Sequence, residues 1–196
     1  KNLDKSIFEG EYIYVDSKQK YIFMIYDCLF FKGEDIRSEV VFKNRYEYIY
    51  KFLDEITPKK YYKINQYDGK YSIGDIKNHF SNELVKFYDM LDEHLNNLKN
   101  NEVLISNKVI MFPPGGSNSE VFLFSNIIWN NCTKSDKVKC PYTLDGIIYT
   151  PLEQKYTNIL KEQKLPIYKF KPPNLNSIDV YIKFERNRDT GELLRV

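Results

Sequence analysis

Tyr168-Lys169-Phe170-Lys171-Pro172 sets two ammonium groups two residues apart in a stretch of strand-like composition. On a strand, residues i and i+2 share a face, so Lys169 and Lys171 project together, with Tyr168 and Phe170 on the other side. Two such cations a few ångströms apart repel by about 1 kcal/mol in water, and by more where water is scarce. The face is comfortable when fully solvated or when an anion sits between the cations. A phosphate clamp is the sharper reading, and a solvated edge strand guarded by lysines is the plainer one. Leu144-Asp145-Gly146-Ile147-Ile148-Tyr149-Thr150-Pro151 places a carboxylate and a glycine at the mouth of a hydrophobic strand. A carboxylate there suits a Mg²⁺ that bridges phosphates, and the glycine lets a ligand approach the backbone. An ordinary Asp-Gly turn has the same sequence. Phe8-Glu9-Gly10-Glu11-Tyr12 offers two carboxylates to one strand face, for a metal or for hydroxyl groups, or simply as a solvated strand end.

Other candidates fall away. His79 and His94 lie fifteen positions apart with no partner at metal-ligand spacing, and read as surface residues. There is no Ser-His-Asp order, no phosphate loop and no zinc signature. Pro113-Pro114-Gly115-Gly116 lacks the Lys-Ser/Thr of a phosphate loop, and Gln66-Tyr67-Asp68-Gly69 carries Gln where a nucleophilic Lys would be needed. Cys28 sits in an apolar run and reads as a small core residue. A Cys132–Cys140 bridge is an option, but no secretory signal is visible and a reducing compartment is the default.

These residues need a scaffold, and the composition supplies one. The 196 residues are 42% hydrophobic and 16% aromatic, which excludes a disordered or linker protein. Twenty-nine Lys and Arg against 27 Asp and Glu leave a net charge of +2, so any nucleic-acid site must be a local patch. The longest apolar runs are strand-length and far too short to span a membrane, so a soluble globular chain is expected. Glu11–Val15 and Tyr21–Phe31, joined by a polar turn, read as a hairpin whose second strand is covered on both faces. Lys32–Asp35 reads as a turn. Helical spacing predicts one helix over about 41–56 and a longer one over about 75–99, with a short strand and loop over 59–74. Val103–Phe112 reads as a strand, and Ser117-x-x-Glu120 as a capping box opening a helix through Trp129. Asn130–Lys139 reads as a loop. Strands are expected again over Leu144–Thr150, Ile167–Lys171 and Ser177–Arg186, with Asp189–Glu192 turning into a short last strand. The order favours an α+β fold with mostly antiparallel sheets and flanking helices.

Glu9-Gly10-Glu11-Tyr12-Ile13, the run Phe23–Arg37, Leu144–Pro151 and the run Tyr168–Val180, taken in order, resemble the covalent nucleotidyltransferases. Within that superfamily the pattern looks like the guanylyltransferase domain of mRNA capping enzymes, especially those of large cytoplasmic DNA viruses. The Thr-Pro after the Asp-Gly strand and the Lys-x-Lys-Pro followed by Ser-Ile-Asp favour capping enzymes over polynucleotide ligases. The resemblance spans about residues 8 to 186. It implies a partial nucleotidyltransferase core over 1–196, without the N-terminal nucleophile segment and the C-terminal OB domain. Glu11 matches an acidic residue facing ribose or metal, and Tyr26 the aromatic that stacks on the purine. Asp145 matches a metal-side carboxylate, and Lys169 and Lys171 the pair that holds the α-phosphate. Lys108 is a further phosphate candidate, and Asp179 matches a late acidic position.

The family attacks GTP with the lysine of a Lys-x-Asp-Gly element, and none occurs in this sequence. The expectation is therefore a segment that is inactive alone, belonging to an enzyme that transfers GMP through a lysyl intermediate to the diphosphate 5′ end of RNA. Mg²⁺ or Mn²⁺ is the implied cofactor. The implied partners are GTP, the RNA end and the remaining triphosphatase, OB and methyltransferase domains, in the cytoplasm at a viral factory or in a virion. An ATP-dependent ligase core, a non-catalytic module retaining the fold, and an unrelated α+β domain are the rival readings.

Overall fold

The computed structural model describes residues 3–57, 61–67, 72–113, 120–156, 165–177, 185–186, 189–191 and 193–194. Strand β1 (Ile7–Val15) and strand β2 (Lys20–Phe31) form the expected antiparallel hairpin. The Lys32–Asp35 turn contains a short strand, β3 (Glu34–Asp35), which pairs back onto Phe30 and Phe31. Helix α1 (Phe42–Ile56) and helix α2 (Ile73–Asn97) follow. Ser72 caps α2 in a reciprocal capping box with Asp75.

The strand expected over Val103–Phe112 is β4, and it covers only Val103–Asn107. It runs parallel to β2, with Tyr21 opposite Val103 and Ile25 opposite Asn107, so the sheet is mixed and not wholly antiparallel. The long crossover through α1 and α2 makes that parallel return possible. Among residues 61–67 no strand forms; the segment is held by side chains instead. Helix α3 (Glu120–Lys134) runs five residues past Trp129, into the stretch expected to be loop. Its polar end is stabilised by bonds to preceding carbonyls: Asn131 Nδ2 donates to Ile127 O at 2.8 Å and Thr133 Oγ1 to Trp129 O at 2.6 Å. Strand β5 (Ile147–Tyr149) and strand β6 (Tyr168–Phe170) pair antiparallel, and a 3₁₀ turn, Pro173–Leu175, follows. Strands β7 (Glu185–Arg186) and β8 (Leu193–Leu194) form a small antiparallel pair. The Ser117 cap lies outside the described residues, as does most of the Ser177–Arg186 strand.

The main sheet has helices on both faces. Phe42, Tyr46, Ile49, Tyr50 and Leu53 of α1 pack with Ile25 and Phe112 on one side. On the other, Ile76, Phe80, Leu84, Phe87, Tyr88 and Leu91 of α2 pack with Ile22, Met24 and the α3 residues Phe124 and Ile127. Truncating a side chain such as Leu84, which is fully buried, costs about 2–5 kcal/mol. As expected, β2 is central and Cys28 is a fully buried core residue. Among the described residues no helix is long and apolar enough to cross a membrane.

Three buried charged side chains, Asp27, Arg45 and Glu83, are built into this scaffold. Asp27 receives Arg45 through Nε and Nη2 at 2.9 and 3.0 Å, and the Cys28 amide at 2.8 Å. Arg45 Nη1 also donates to the carbonyls of Glu39 and Gln154, which ties residues 151–156 to the start of α1. Phe42 N donating to Leu152 O and Tyr156 N to Arg37 O reinforce that tie. Glu83 accepts from the Tyr62 hydroxyl, the Asn65 amide and Lys86, and so fastens residues 61–67 to α2.

Candidate functional site

The Asp145–Gly146 pair enters β5, and Lys169 lies in β6 opposite Ile148. Gly146 is required by close approach: a Cβ there would stand 2.2 Å from the Phe170 carbonyl oxygen. That contact seats the strand mouth directly on β6. Both lysines then reach one carboxylate oxygen, Lys169 Nζ at 2.8 Å and Lys171 Nζ at 3.4 Å from Asp145 Oδ2. The hydrogen bond from Lys169 is the first cause, with Lys171 adding to it, that holds the Asp145 carboxyl below the usual carboxylate range. The two cations thus do share a face, and the anion between them is the chain's own Asp145. The group is solvent-accessible, with the Asp145 side chain 62% exposed.

A second cluster surrounds Tyr26. The β1–β2 register passes from Glu9 opposite Asp27 to Gly10 opposite Ile25, so Tyr26 is an extra residue at a bulge. Gly10 has no space for a side chain, since a Cβ would meet the Phe23 ring at 2.6 Å. Lys108, immediately after β4, reaches Glu11 Oε2 at 2.5 Å and lies 5.6 Å from the Tyr26 ring centroid. Its backbone is fixed by the bond from Lys108 N to Ile25 O, and by the Tyr46 hydroxyl donating to its carbonyl. Burial first, then the hydrogen bond and charge of Glu9, push the Tyr26 hydroxyl well up. Tyr156 also hydrogen-bonds to Glu9, and its own hydroxyl is raised by burial and by that carboxylate.

Asp145, Lys169 and Lys171 are therefore together, and so are Glu11, Tyr26 and Lys108. Among the described residues no hydrogen bond or ion pair joins the two clusters. The expectation of cations facing a carboxylate across a cleft is corrected: the lysines and Asp145 are in direct contact, because Gly146 lets the strands close up. Tyr142, which stands three residues before Asp145, feels the Glu11 charge. A hollow of about 940 Å³ opens beside the first cluster, walled by Tyr14, Trp129, Tyr142, Leu144, Pro172 and Asn174 among others. Asp179 lies outside the described residues. Gln66, where a nucleophilic lysine was sought, is a structural clamp, donating to Ile110 O at 3.0 Å and accepting from Phe112 N at 2.9 Å.

Tyr156 and the Asp27–Arg45 pair went unread in the sequence. Arg45 did carry a signal, since it interrupts the apolar stripe of α1 three residues after Phe42.

The chain is 30% identical over 197 aligned positions to a probable mRNA-capping enzyme of Acanthamoeba polyphaga mimivirus. It is similar to part of that protein. The similarity takes in 95% of this chain but 16% of the relative, so the chain spans about a sixth of that protein's length. No protein-family model and no solved structure matches.

Proposed function

We propose that this chain forms the phosphate-binding and base-binding walls of an mRNA guanylyltransferase within a larger viral capping enzyme. The observation that carries the reading is the convergence of Lys169 and Lys171 on the Asp145 carboxylate at a glycine-bared strand mouth. The relationship to a capping enzyme supports the substrate class. Lys169 and Lys171 bind the α-phosphate oxygens of GTP in place of Asp145 and neutralise the charge that builds there. Tyr26, backed by Glu9, offers a ring face to the base, and Lys108 offers an ammonium beside it.

A lysine amine attacks the α-phosphorus, the bond to the β-phosphate oxygen breaks, and pyrophosphate leaves. The diphosphate end of RNA then attacks the same phosphorus, breaking the P–N bond and freeing the lysine. That lysine belongs to a Lys-x-Asp-Gly element, which these 196 residues do not contain. For the metal, the described residues hold no group of three His, Cys, Asp or Glu. Glu11 is paired with Lys108, and Asp145 with Lys169 and Lys171 until these turn to the phosphates. A single ionised carboxylate fits a hard cation whose remaining ligands are substrate oxygens and water. Asp145 would hold Mg²⁺ or Mn²⁺ in that way, and the ion would add charge neutralisation at the phosphates.

The test is covalent labelling of the intact parent polypeptide with α-labelled GTP or ATP. Adduct with GTP, lost in Asp145→Ala and in Lys169→Ala, supports the reading. ATP labelling assigns a ligase, and labelling indifferent to both substitutions removes the site. The 196 residues alone should carry no label after denaturation.

A further inference from the structure

Three exposed tyrosines form a column on one face of the main sheet. Tyr14 of β1 stands opposite Tyr21 of β2, and Tyr12 lies two residues before Tyr14 on the same face. The Tyr21 ring stacks on Tyr12 with centroids 4.8 Å apart and planes within 13°, and it meets Tyr14 at 4.8 Å as well. Much of each side chain stays in solvent: Tyr12 is 58% exposed, Tyr14 44% and Tyr21 42%. Packing does not call for them, since the intervening Ile13 and Val15 make the contacts to the core from the other face.

Tyr14 also walls the hollow of about 940 Å³, together with Trp129, Tyr142 and Lys134. Two further wall residues, Leu144 and Pro172, are the immediate chain neighbours of Asp145 and Lys171. The hollow is thus one residue from the phosphate cluster and shares Tyr14 with the column. Its Tyr142 ring is held edge-on to Tyr88, with the two hydroxyls 3.2 Å apart. From Lys134 the chain runs to the wall residue Cys140 through Lys137 and Lys139, with Asp136 the one acid between them. All three lysines are exposed, and among the described residues none makes an ion pair.

We propose that the hollow and the column seat the 5′ end of the acceptor RNA, the first nucleoside in the hollow and the next bases on the tyrosines. The assignment rests on the guanylyltransferase reading and gives its second substrate a surface. Unpaired RNA is held by aromatic rings on which bases stack and by cations that follow its phosphates. The column supplies the rings, and Lys134, Lys137 and Lys139 the charge. The attacking end carries two phosphates before its first ribose, so that nucleoside comes to rest just past Lys169 and Lys171, where Leu144 and Pro172 border the hollow. The donor base is taken up by Tyr26, in a cluster that no hydrogen bond or ion pair joins to Asp145 among the described residues, so the two bases do not compete. Asp16, also on the wall, is an acceptor suited to ribose hydroxyls. Stacking on a ring tolerates any base, so the surface selects an unpaired end and not a sequence.

The experiment has a binding arm on the 196-residue chain and a kinetic arm on the parent polypeptide. Trp129 is the single tryptophan of the chain and walls the hollow, so a short single-stranded RNA with a 5′-diphosphate should quench its emission. Tyr14→Ala combined with Tyr21→Ala should weaken that binding about tenfold or more with little change in thermal midpoint, because both side chains are exposed. A photoreactive base at the first position of the RNA should cross-link to the peptide bearing Trp129 or Tyr142. In the parent, the same double substitution should leave formation of lysyl-GMP unchanged and raise the KM for RNA about tenfold in the transfer step. No quenching, unchanged affinity in the double variant, equal binding of a blunt RNA duplex, or a cross-link to the Tyr26 peptide would each overturn the proposal. So would protection of Tyr14 and Tyr21 from iodination in the RNA-free parent, which would show that other parts of that polypeptide cover the column. A parent that forms no GMP adduct would remove the guanylyltransferase reading, and the binding arm would then decide the RNA surface by itself.

Discussion

Gly146→Ala adds one methyl group where the surroundings leave none. The new Cβ would stand 2.2 Å from the Phe170 carbonyl oxygen, 3.1 Å from Lys171 Cγ and 3.3 Å from Lys169 Cε. The lysine carbons can swing aside, but the carbonyl belongs to the β5–β6 ladder, where Ile147 faces Phe170. An ordinary van der Waals contact requires the strands to part by about 1 Å. The Asp145–Lys169 bond at 2.8 Å and the Lys171 contact at 3.4 Å do not survive that shift together. Overpacking of this kind costs about 1–3 kcal/mol of stability, so most of the chain stays folded. Misplacing a positioned group by about 1 Å costs about 100-fold in rate. Two measurements follow. The Asp145 carboxyl, titrated by carbon-13 NMR in the isolated chain, should rise toward the usual carboxylate range from its depressed value. GMP transfer by the parent polypeptide should fall about 100-fold with only a small loss of urea resistance. A carboxyl that titrates as in the wild type, with transfer within a few-fold, would refute the claim that Gly146 sets the cluster.

Arg45→Ala should lower stability by about 3–5 kcal/mol, because Asp27 would be left buried without its partner. At about 2–4 °C per kcal/mol for a chain of this size, calorimetry should show the midpoint falling by about 6–20 °C; a fall under 3 °C would contradict it. Since the folded Asp145 carboxyl is depressed, its ion pairs are complete above pH of about 4 and are lost as pH falls through the depressed value. The Asp145 carboxyl resonance should therefore move only in acid, and a change in it between pH 5 and 8 would be the wrong outcome. Glu83→Ala removes the acceptor of Tyr62, Asn65 and Lys86, and should speed amide exchange at residues 61–67 while α1 keeps its protection. Tyr26→Ala should weaken nucleotide binding to the parent at least tenfold with a midpoint within about 5 °C of wild type; unchanged affinity would remove Tyr26 from the site.

Much of the scaffold was legible because its signals are local. The hairpin was visible in apolar runs, α1 and α2 in helical spacing, and the Lys-x-Lys face in the two-residue period of a strand. What was missed depends on partners distant in sequence. β4 stops at Asn107 because the next residue turns out of the ladder, its carbonyl held by Tyr46 of α1, and nothing in Val103–Phe112 announces that. α3 continues through Asn130-Asn131-Cys132-Thr133 because the Asn131 and Thr133 side chains bond to their own helix and Asn131 reaches Ser81; composition alone reads as loop. Asp27 in an apolar run makes sense only beside Arg45. Sequence order also could not say that, among the described residues, no hydrogen bond or ion pair joins the Tyr26 and Asp145 clusters.

The unmatched residue at position 26 uncouples two demands that usually compete. Elsewhere in the hairpin a side chain is aimed by the ladder, and re-aiming it means slipping every pair beyond. Tyr26 stands outside that pairing, and Glu9, Tyr156 and Lys108 are among the groups that meet it. Its tilt can be retuned by exchanging those neighbours one at a time, leaving the load on the backbone unchanged.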